Sequence, residues 1–150
     1  MTGNHHTPGL PNGWHKRHVS AFDRFRVAVL AHDFHRAVAE MDENVELYNP
    51  ASSQPLVGRE AARQTFAVLD WVFSEFEHLY VLEEPSDSPA DSRRQAIVFR
   101  GKAGPEEIQG VDLIEVENDK IVRFTVMVRP IVGLMALGQA IQTAREASPG

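Results

Sequence analysis

Asp112 is the residue whose type and position in this sequence best suit it for chemistry. It lies in a run of aliphatic and β-branched residues that indicates a β-strand. Because side chains alternate between two faces along a strand, Asp112 shares its face with Ile114 and Val116. Burial among apolar neighbours disfavours a charged carboxyl group, so we expect the pKa of Asp112 to be raised and the group to be protonated near neutral pH. A protonated Asp112 would donate a hydrogen bond to a ligand carbonyl or phenolate; alternatively, it is hydrogen-bonded internally to Tyr48, Trp71 or the backbone.

His78 is the second residue suited to proton transfer. A strand predicted over residues 76–84 places it on one face with Phe76, Tyr80 and Leu82. If that face lines a cavity, His78 is the best available proton acceptor; if it does not, His78 is a surface histidine.

The element that must position Asp112 is a hairpin over residues 110–130. Two runs rich in β-branched residues flank the polar turn Asn118-Asp119-Lys120, whose Asn and Asp tolerate left-handed backbone angles. The second strand places Phe124, Val126 and Val128 on one face. We expect this hairpin to form the middle of a sheet.

The remaining periodicity predicts an α+β domain. Apolar residues recur at helical spacing over residues 19–30, 34–41, 58–73 and 131–146, with Ser20 and Asp23 as capping residues near the start of the first helix. Strands are predicted over residues 44–48, 76–84, 94–100 and in the hairpin. Consecutive strands joined by short turns indicate an antiparallel or mixed sheet, one face of which the helices cover. Trp71 is predicted to pack in the core.

Composition limits the possible partners. The chain has 150 residues, a size typical of one domain, which we expect over residues 19–146 after an irregular arm over residues 1–18. A net charge of −6 argues against nucleic-acid binding, and no apolar segment is long enough to cross a membrane. The absence of cysteine fits a cytoplasmic location.

No cofactor or metal ion is expected. The sequence has no glycine-rich phosphate-binding loop. The adjacent His5 and His6 have no partner ligands, and we interpret His32 and Asp33 as residues that end one helix and cap the next.

The chain resembles the nuclear-transport-factor-2-like superfamily over residues 19–141. The resemblance rests on the order of elements, on His32-Asp33 between the first two helices, on the segment from Asn49-Pro50 to Gly58, and on the hairpin. It implies a strongly bent sheet wrapped around helices, which forms a cone with an apolar cavity. It also implies dimers.

The resemblance carries over only part of the known catalytic sets. Asp112 matches the aspartic acid that donates a hydrogen bond in ketosteroid isomerases. This chain has Phe25 at the position of the family's tyrosine donor and Asn49 at the position of its catalytic base. Phenylalanine cannot donate a hydrogen bond and an amide is not basic, so this isomerase mechanism is disfavoured. The epoxide hydrolase set is also missing, with Val126 at its last-strand acid. Polyketide cyclases of the SnoaL type require a single cavity acid, for which Asp112 or His78 is available.

Three classes of function therefore remain. The first is a binding protein that holds a small lipophilic molecule with Asp112 as its polar anchor; the second is a cyclase, isomerase or hydrolase that uses Asp112 and His78; the third is an interaction domain whose cavity is filled by Phe66, Trp71 and Met127. The residues expected to contact a ligand are Phe25, Tyr48, Asn49, Phe66, Trp71, Ile114, Phe124 and Val126.

The opposite face of the hairpin predicts a homodimer. It carries Val111, Leu113, Thr125 and Met127, which are framed by charged residues. An apolar centre with a charged rim is typical of a partner surface.

Overall fold

The computed structural model describes residues 19–85 and 92–147 as four helices and six strands. The arm predicted over residues 1–18 lies outside the described residues. The elements are α1 (Ala21–Leu30), α2 (Phe34–Val38), β1 (Met41–Tyr48), β2 (Leu56–Val57), α3 (Arg59–Val72), β3 (Phe73–Glu83), β4 (Ser92–Ala103), β5 (Glu106–Glu117), β6 (Lys120–Arg129) and α4 (Ile131–Ala147).

The strands form one mixed sheet in the order β2-β1-β6-β5-β4-β3. Strands β1 and β6 are parallel, and the other neighbours are antiparallel. The β5–β6 hairpin therefore lies in the middle of the sheet, which confirms the α+β prediction and the predicted place of the hairpin.

The turn of this hairpin also fixes α1. Asn118 and Asp119 have φ angles of 52° and 58°, the left-handed conformation that a two-residue hairpin turn requires. The Asp119 carboxylate accepts hydrogen bonds from the Ala21 amide at 2.9 Å and from Arg24 at 2.7 Å. A capping box between Ser20 and Asp23 starts α1, as predicted. These contacts place α1 across the sheet.

The core lies between the helices and one face of the sheet. Phe25 of α1, Phe66 of α3 and Phe124 of β6 meet edge to face, with ring centroids 5.4–5.8 Å apart. Ile114 and Val116 are buried on this same face of the sheet, so the predicted alternation along β5 is confirmed.

The structure differs from the prediction at several element boundaries and in one additional strand. The second helix ends at Val38, because Met41 begins β1. The short strand β2 was not predicted, since two residues carry no periodic pattern. Strand β5 begins at Glu106 rather than Gly110, because the chain turns at Gly104.

The prediction that Trp71 packs in the core is wrong. Its side chain is 81% exposed. At 100° per residue, Trp71 lies about 140° around α3 from the buried Phe66 and therefore faces solvent.

Within the described residues, none of the helices combines the length and apolar character needed to span a lipid bilayer.

Candidate functional site

A large apolar cavity lies between the helices and the inner face of the sheet. Its volume is about 850 Å³. The alternative in which Phe66, Trp71 and Met127 fill the cavity does not hold, because Trp71 and Met127 are exposed on the outside and Phe66 forms part of the wall. The aromatic and larger aliphatic residues of the lining are Phe25, Val29, Phe34, Leu47, Tyr48, Leu56, Phe66, Leu69, Phe73, Phe76, Phe99, Phe124, Val126, Val128, Leu134, Met135, Leu137 and Ile141.

Asp112 lines this cavity from the middle of the sheet. Its cross-strand neighbours are Ile97 on β4 and Val126 on β6, and both are apolar. Burial raises the pKa of Asp112 to about 8, so the carboxyl group is protonated at neutral pH. Part of the side chain stays accessible because it faces the cavity.

Neither Tyr48 nor Trp71, the side chains predicted as internal hydrogen-bond partners, bonds to Asp112. The Tyr48 hydroxyl donates to Glu46 at 3.5 Å, and Trp71 lies on the outside. Among the described residues, no group forms a hydrogen bond with the Asp112 carboxyl group, and burial alone shifts its pKa. A protonated donor therefore faces an apolar cavity with its hydrogen-bonding capacity unused.

Gly110 makes space for an aromatic wall beside Asp112. A Cβ atom at this position would collide with the Phe99 ring and lie 2.6 Å from the Met127 carbonyl oxygen. Phe99 in turn packs against Phe76 at 5.4 Å and Phe73 at 6.1 Å. Sequence reasoning missed these three phenylalanines as site residues, although Gly110 opposite Phe99 was a possible signal of close approach.

Six of the eight predicted ligand-contacting residues line the cavity, and two do not. The six are Phe25, Tyr48, Asn49, Phe66, Phe124 and Val126. Ile114 is fully buried in the core below the cavity, and Trp71 faces solvent. Asn49 accepts a hydrogen bond from the Ala51 amide at 2.8 Å and so shapes the loop at the cavity edge.

His78 does not share this cavity with Asp112. A register shift between His78 and Tyr80 interrupts the alternation of β3, so His78 turns inwards while Tyr80 and Leu82 stay exposed. The predicted common face of these residues is therefore wrong. Burial, assisted by the nearby charge of Arg26, lowers the pKa of His78 to about 4 and keeps the ring neutral.

Helix α4 closes the cavity on the side away from α1. Leu134, Leu137 and Ile141 contribute to the lining. Gly133 permits the close approach of this helix, because a Cβ atom there would lie 2.5 Å from the Ile108 side chain of β5. The sequence predicted the helix but not its role in the site.

Polar residues lie at the cavity edge. His32 and Asp70 both line the cavity, and the His32 Nδ1 atom is 2.6 Å from the Asp70 carboxylate. Asp33 caps α2 by accepting a hydrogen bond from the Arg36 amide at 3.1 Å, which confirms its predicted capping role. In the ranges 19–85 and 92–147, no group of three or more possible ligand side chains is arranged to hold a metal ion.

Solved structures share this fold. An uncharacterised protein with a cystatin-like fold from Silicibacter pomeroyi DSS-3 is 25% identical, with a TM-score of 0.74 over 87% of this chain and 88% of that one. A steroid delta-isomerase from Pseudomonas aeruginosa is 21% identical, with a TM-score of 0.75 over 93% and 96%. An NTF-2 like protein of unknown function from Burkholderia xenovorans LB400 is 18% identical, with a TM-score of 0.59 over 72% and 79%. No family model matches the sequence, and no curated protein matches it either.

The chain has the nuclear-transport-factor-2-like fold, which confirms the resemblance predicted from its sequence. This fold is compatible with both ligand binding and catalysis.

Proposed function

We propose that this protein binds a small lipophilic molecule that carries a hydrogen-bond acceptor, with Asp112 as its polar anchor. The observation that supports the proposal is a protonated carboxyl group that faces a cavity of about 850 Å³ without a partner among the described residues. An unused buried donor is unfavourable unless a ligand satisfies it.

The cavity favours one class of ligand. Its volume lies within the range of about 300–1,000 Å³ that is common for small-molecule sites. Its inner wall is aromatic and aliphatic around Asp112, so the body of the ligand is apolar. The group that accepts the hydrogen bond from Asp112 is a carbonyl or phenolate oxygen.

Paired ligands test the anchor. Calorimetric titration with 2-tetralone and its hydrocarbon counterpart tetralin compares the wild type with Asp112→Asn and Asp112→Leu. We expect the wild type and the Asn variant to prefer the ketone by about tenfold, because both donate one hydrogen bond. The Leu variant should bind both compounds equally.

Two results would contradict the proposal. The first is equal binding of ketone and hydrocarbon by the wild type, which would show that no donor is used. The second is a ketone preference that persists in the Leu variant.

A second candidate function is proton transfer by Asp112 in a cyclase or isomerase. The observation that favours it is the pKa of about 8, since an acid of this strength donates its proton near neutral pH. Asparagine donates a hydrogen bond but no proton, so an enzyme would lose turnover in Asp112→Asn while keeping its affinity. A pure binding protein would show no turnover in either form.

We also propose that the protein is a homodimer through the outer face of the sheet. The cross-strand pairs Val111–Met127 and Leu113–Thr125 lie on this face, and Met127 is 49% exposed. Tyr80 of β3 is also exposed on the sheet. An apolar surface that spans several strands is typical of an interface between copies.

A further inference from the structure

The pair His32 and Asp70 at the cavity edge has no part in the function proposed above. The two residues are 38 positions apart, yet the His32 Nδ1 and Asp70 Oδ1 atoms are 2.6 Å apart. Both residues line the same cavity as Asp112.

His32 adopts a left-handed backbone conformation at the end of α1. His32 has a φ of 60° at the end of α1, where the amides of His32 and Asp33 bond to the carbonyls of Val29 and Ala28. Glycine is the usual residue at this position, because a Cβ atom disfavours the left-handed conformation. Histidine is less stable than glycine in this backbone conformation, but it provides a side chain at the cavity.

Asp70 fixes the tautomer of His32. A carboxylate only accepts hydrogen bonds, so the Nδ1 atom carries the proton and donates it to Asp70. In the neutral ring, the Nε2 atom then has a free lone pair and accepts hydrogen bonds. The side chain is largely exposed and remains accessible to a ligand.

A continuous aromatic wall connects His32 to the inner end of the cavity. The His32 ring meets Phe34 at 6.5 Å, Phe34 stacks on Phe66 at 6.5 Å, and Phe66 contacts Phe124 at 5.4 Å. Phe124 lies two residues before Val126, the cross-strand neighbour of Asp112. A flat apolar molecule that lies against this wall has one end towards Asp112 and the other towards His32.

We propose that His32, oriented by Asp70, accepts a hydrogen bond from a hydroxyl group at the outer end of the ligand. This inference rests on the proposed function, and it narrows the ligand class to elongated lipophilic hydroxyketones. Asp112 donates to the carbonyl end of such a molecule, and His32 accepts from its hydroxyl end.

The first test needs no ligand. Nitrogen-15 NMR of the imidazole rings distinguishes a protonated Nε2 atom from one with a lone pair, and His32→Asn assigns the His32 signals. Asparagine suits this position because it tolerates positive φ. We expect neutral His32 to carry its proton on Nδ1 in the wild type and to lose this preference in Asp70→Asn. A proton on Nε2 in the wild type would overturn the inference.

The second test compares ligands that differ by one hydroxyl group. The pairs are 6-hydroxy-2-tetralone with 2-tetralone, and the longer estrone with 3-deoxyestrone. One of the two pairs should have the length needed to reach from Asp112 to His32. For that pair, we expect the wild type to bind the hydroxylated ketone about tenfold more tightly than the ketone without the hydroxyl group. His32→Asn and Asp70→Asn should abolish this preference for the hydroxylated ketone. His35→Asn is the matched control, because His35 is exposed and does not line the cavity.

The outcomes separate the two proposals. Ketone binding that depends on Asp112 but shows no hydroxyl preference in either pair would overturn this inference alone. A complete lack of ketone binding would overturn the proposed function and this inference with it.

Discussion

Burial shifts the pKa values of Asp112 and His78 in opposite directions. Burial raises the pKa of Asp112 to about 8 and lowers the pKa of His78 to about 4. Both groups are therefore neutral at pH 7, although for Asp112 neutral means protonated and for His78 it means deprotonated. The difference follows from the charge type, because an apolar environment disfavours whichever form is charged.

The stability of the protein should depend on pH through Asp112. From about pH 4 to pH 8 the native state holds a proton on Asp112 that the unfolded state has released, so this contribution to stability is lost as pH rises. His78 has the opposite effect between pH 4 and its ordinary value of 6.5, so the two slopes oppose each other there. From pH 6.5 to pH 8 we expect the wild type to lose about 2 kcal/mol of unfolding free energy through Asp112.

Asp112→Asn removes this dependence, because the amide does not titrate. Urea unfolding at a series of pH values should show the variant gaining stability relative to the wild type as pH rises above 6.5. Parallel curves for the two proteins would show that Asp112 is ionised in the native state at neutral pH.

At the scale of elements, the packing of α4 on β5 decides whether the cavity is closed. Gly133 lies against Ile108. A Cβ atom added at Gly133 would be 3.0 Å from the Glu107 carbonyl oxygen. Neither the strand backbone nor the buried Ile108 can move far, so a side chain at residue 133 must displace the helix.

Gly133→Ala should therefore destabilise the protein. We expect a loss of about 1–3 kcal/mol, the usual cost of inserting a methyl group into a packed contact. Gly138→Ala is the matched control, since it lies in the same helix with no atom within 4 Å of the added Cβ atom. It should gain about 0.5–1 kcal/mol through helix propensity. Urea unfolding measures both, and equal effects of the two substitutions would contradict this account of α4.

At the scale of the whole molecule, the two faces of the sheet have different roles. The inner face forms the core and the cavity, whereas the outer face carries apolar side chains that the described residues leave uncovered. Such a surface is stable in water when a second copy covers it.

Met127→Glu should convert the proposed dimer into a monomer, because dimerisation would bury the new charge without a partner. Val27→Glu is the control, since Val27 is 69% exposed on α1, away from the sheet. Light scattering after size-exclusion chromatography should give twice the chain mass for the wild type and the control. A monomeric wild type at micromolar concentration would refute the dimer.

The sequence by itself determined the features that depend on neighbours along the chain. Alternation along β5 predicted that Asp112 shares a face with Ile114, and the Asn118-Asp119 turn predicted the hairpin. The capping residues Ser20 and Asp33 were also identified correctly. These predictions succeeded because strand periodicity, turn conformation and helix capping are governed by local geometry.

Only the tertiary structure decided which residues form the site. The register shift in β3 placed Tyr80 and Leu82 on a different face from His78, the turn of α3 placed Trp71 in solvent, and the packing of α4 added its apolar residues to the cavity. The pairing of His32 with Asp70 joins residues on different elements. None of these follows from sequence spacing, because each depends on how elements distant in the chain pack against one another.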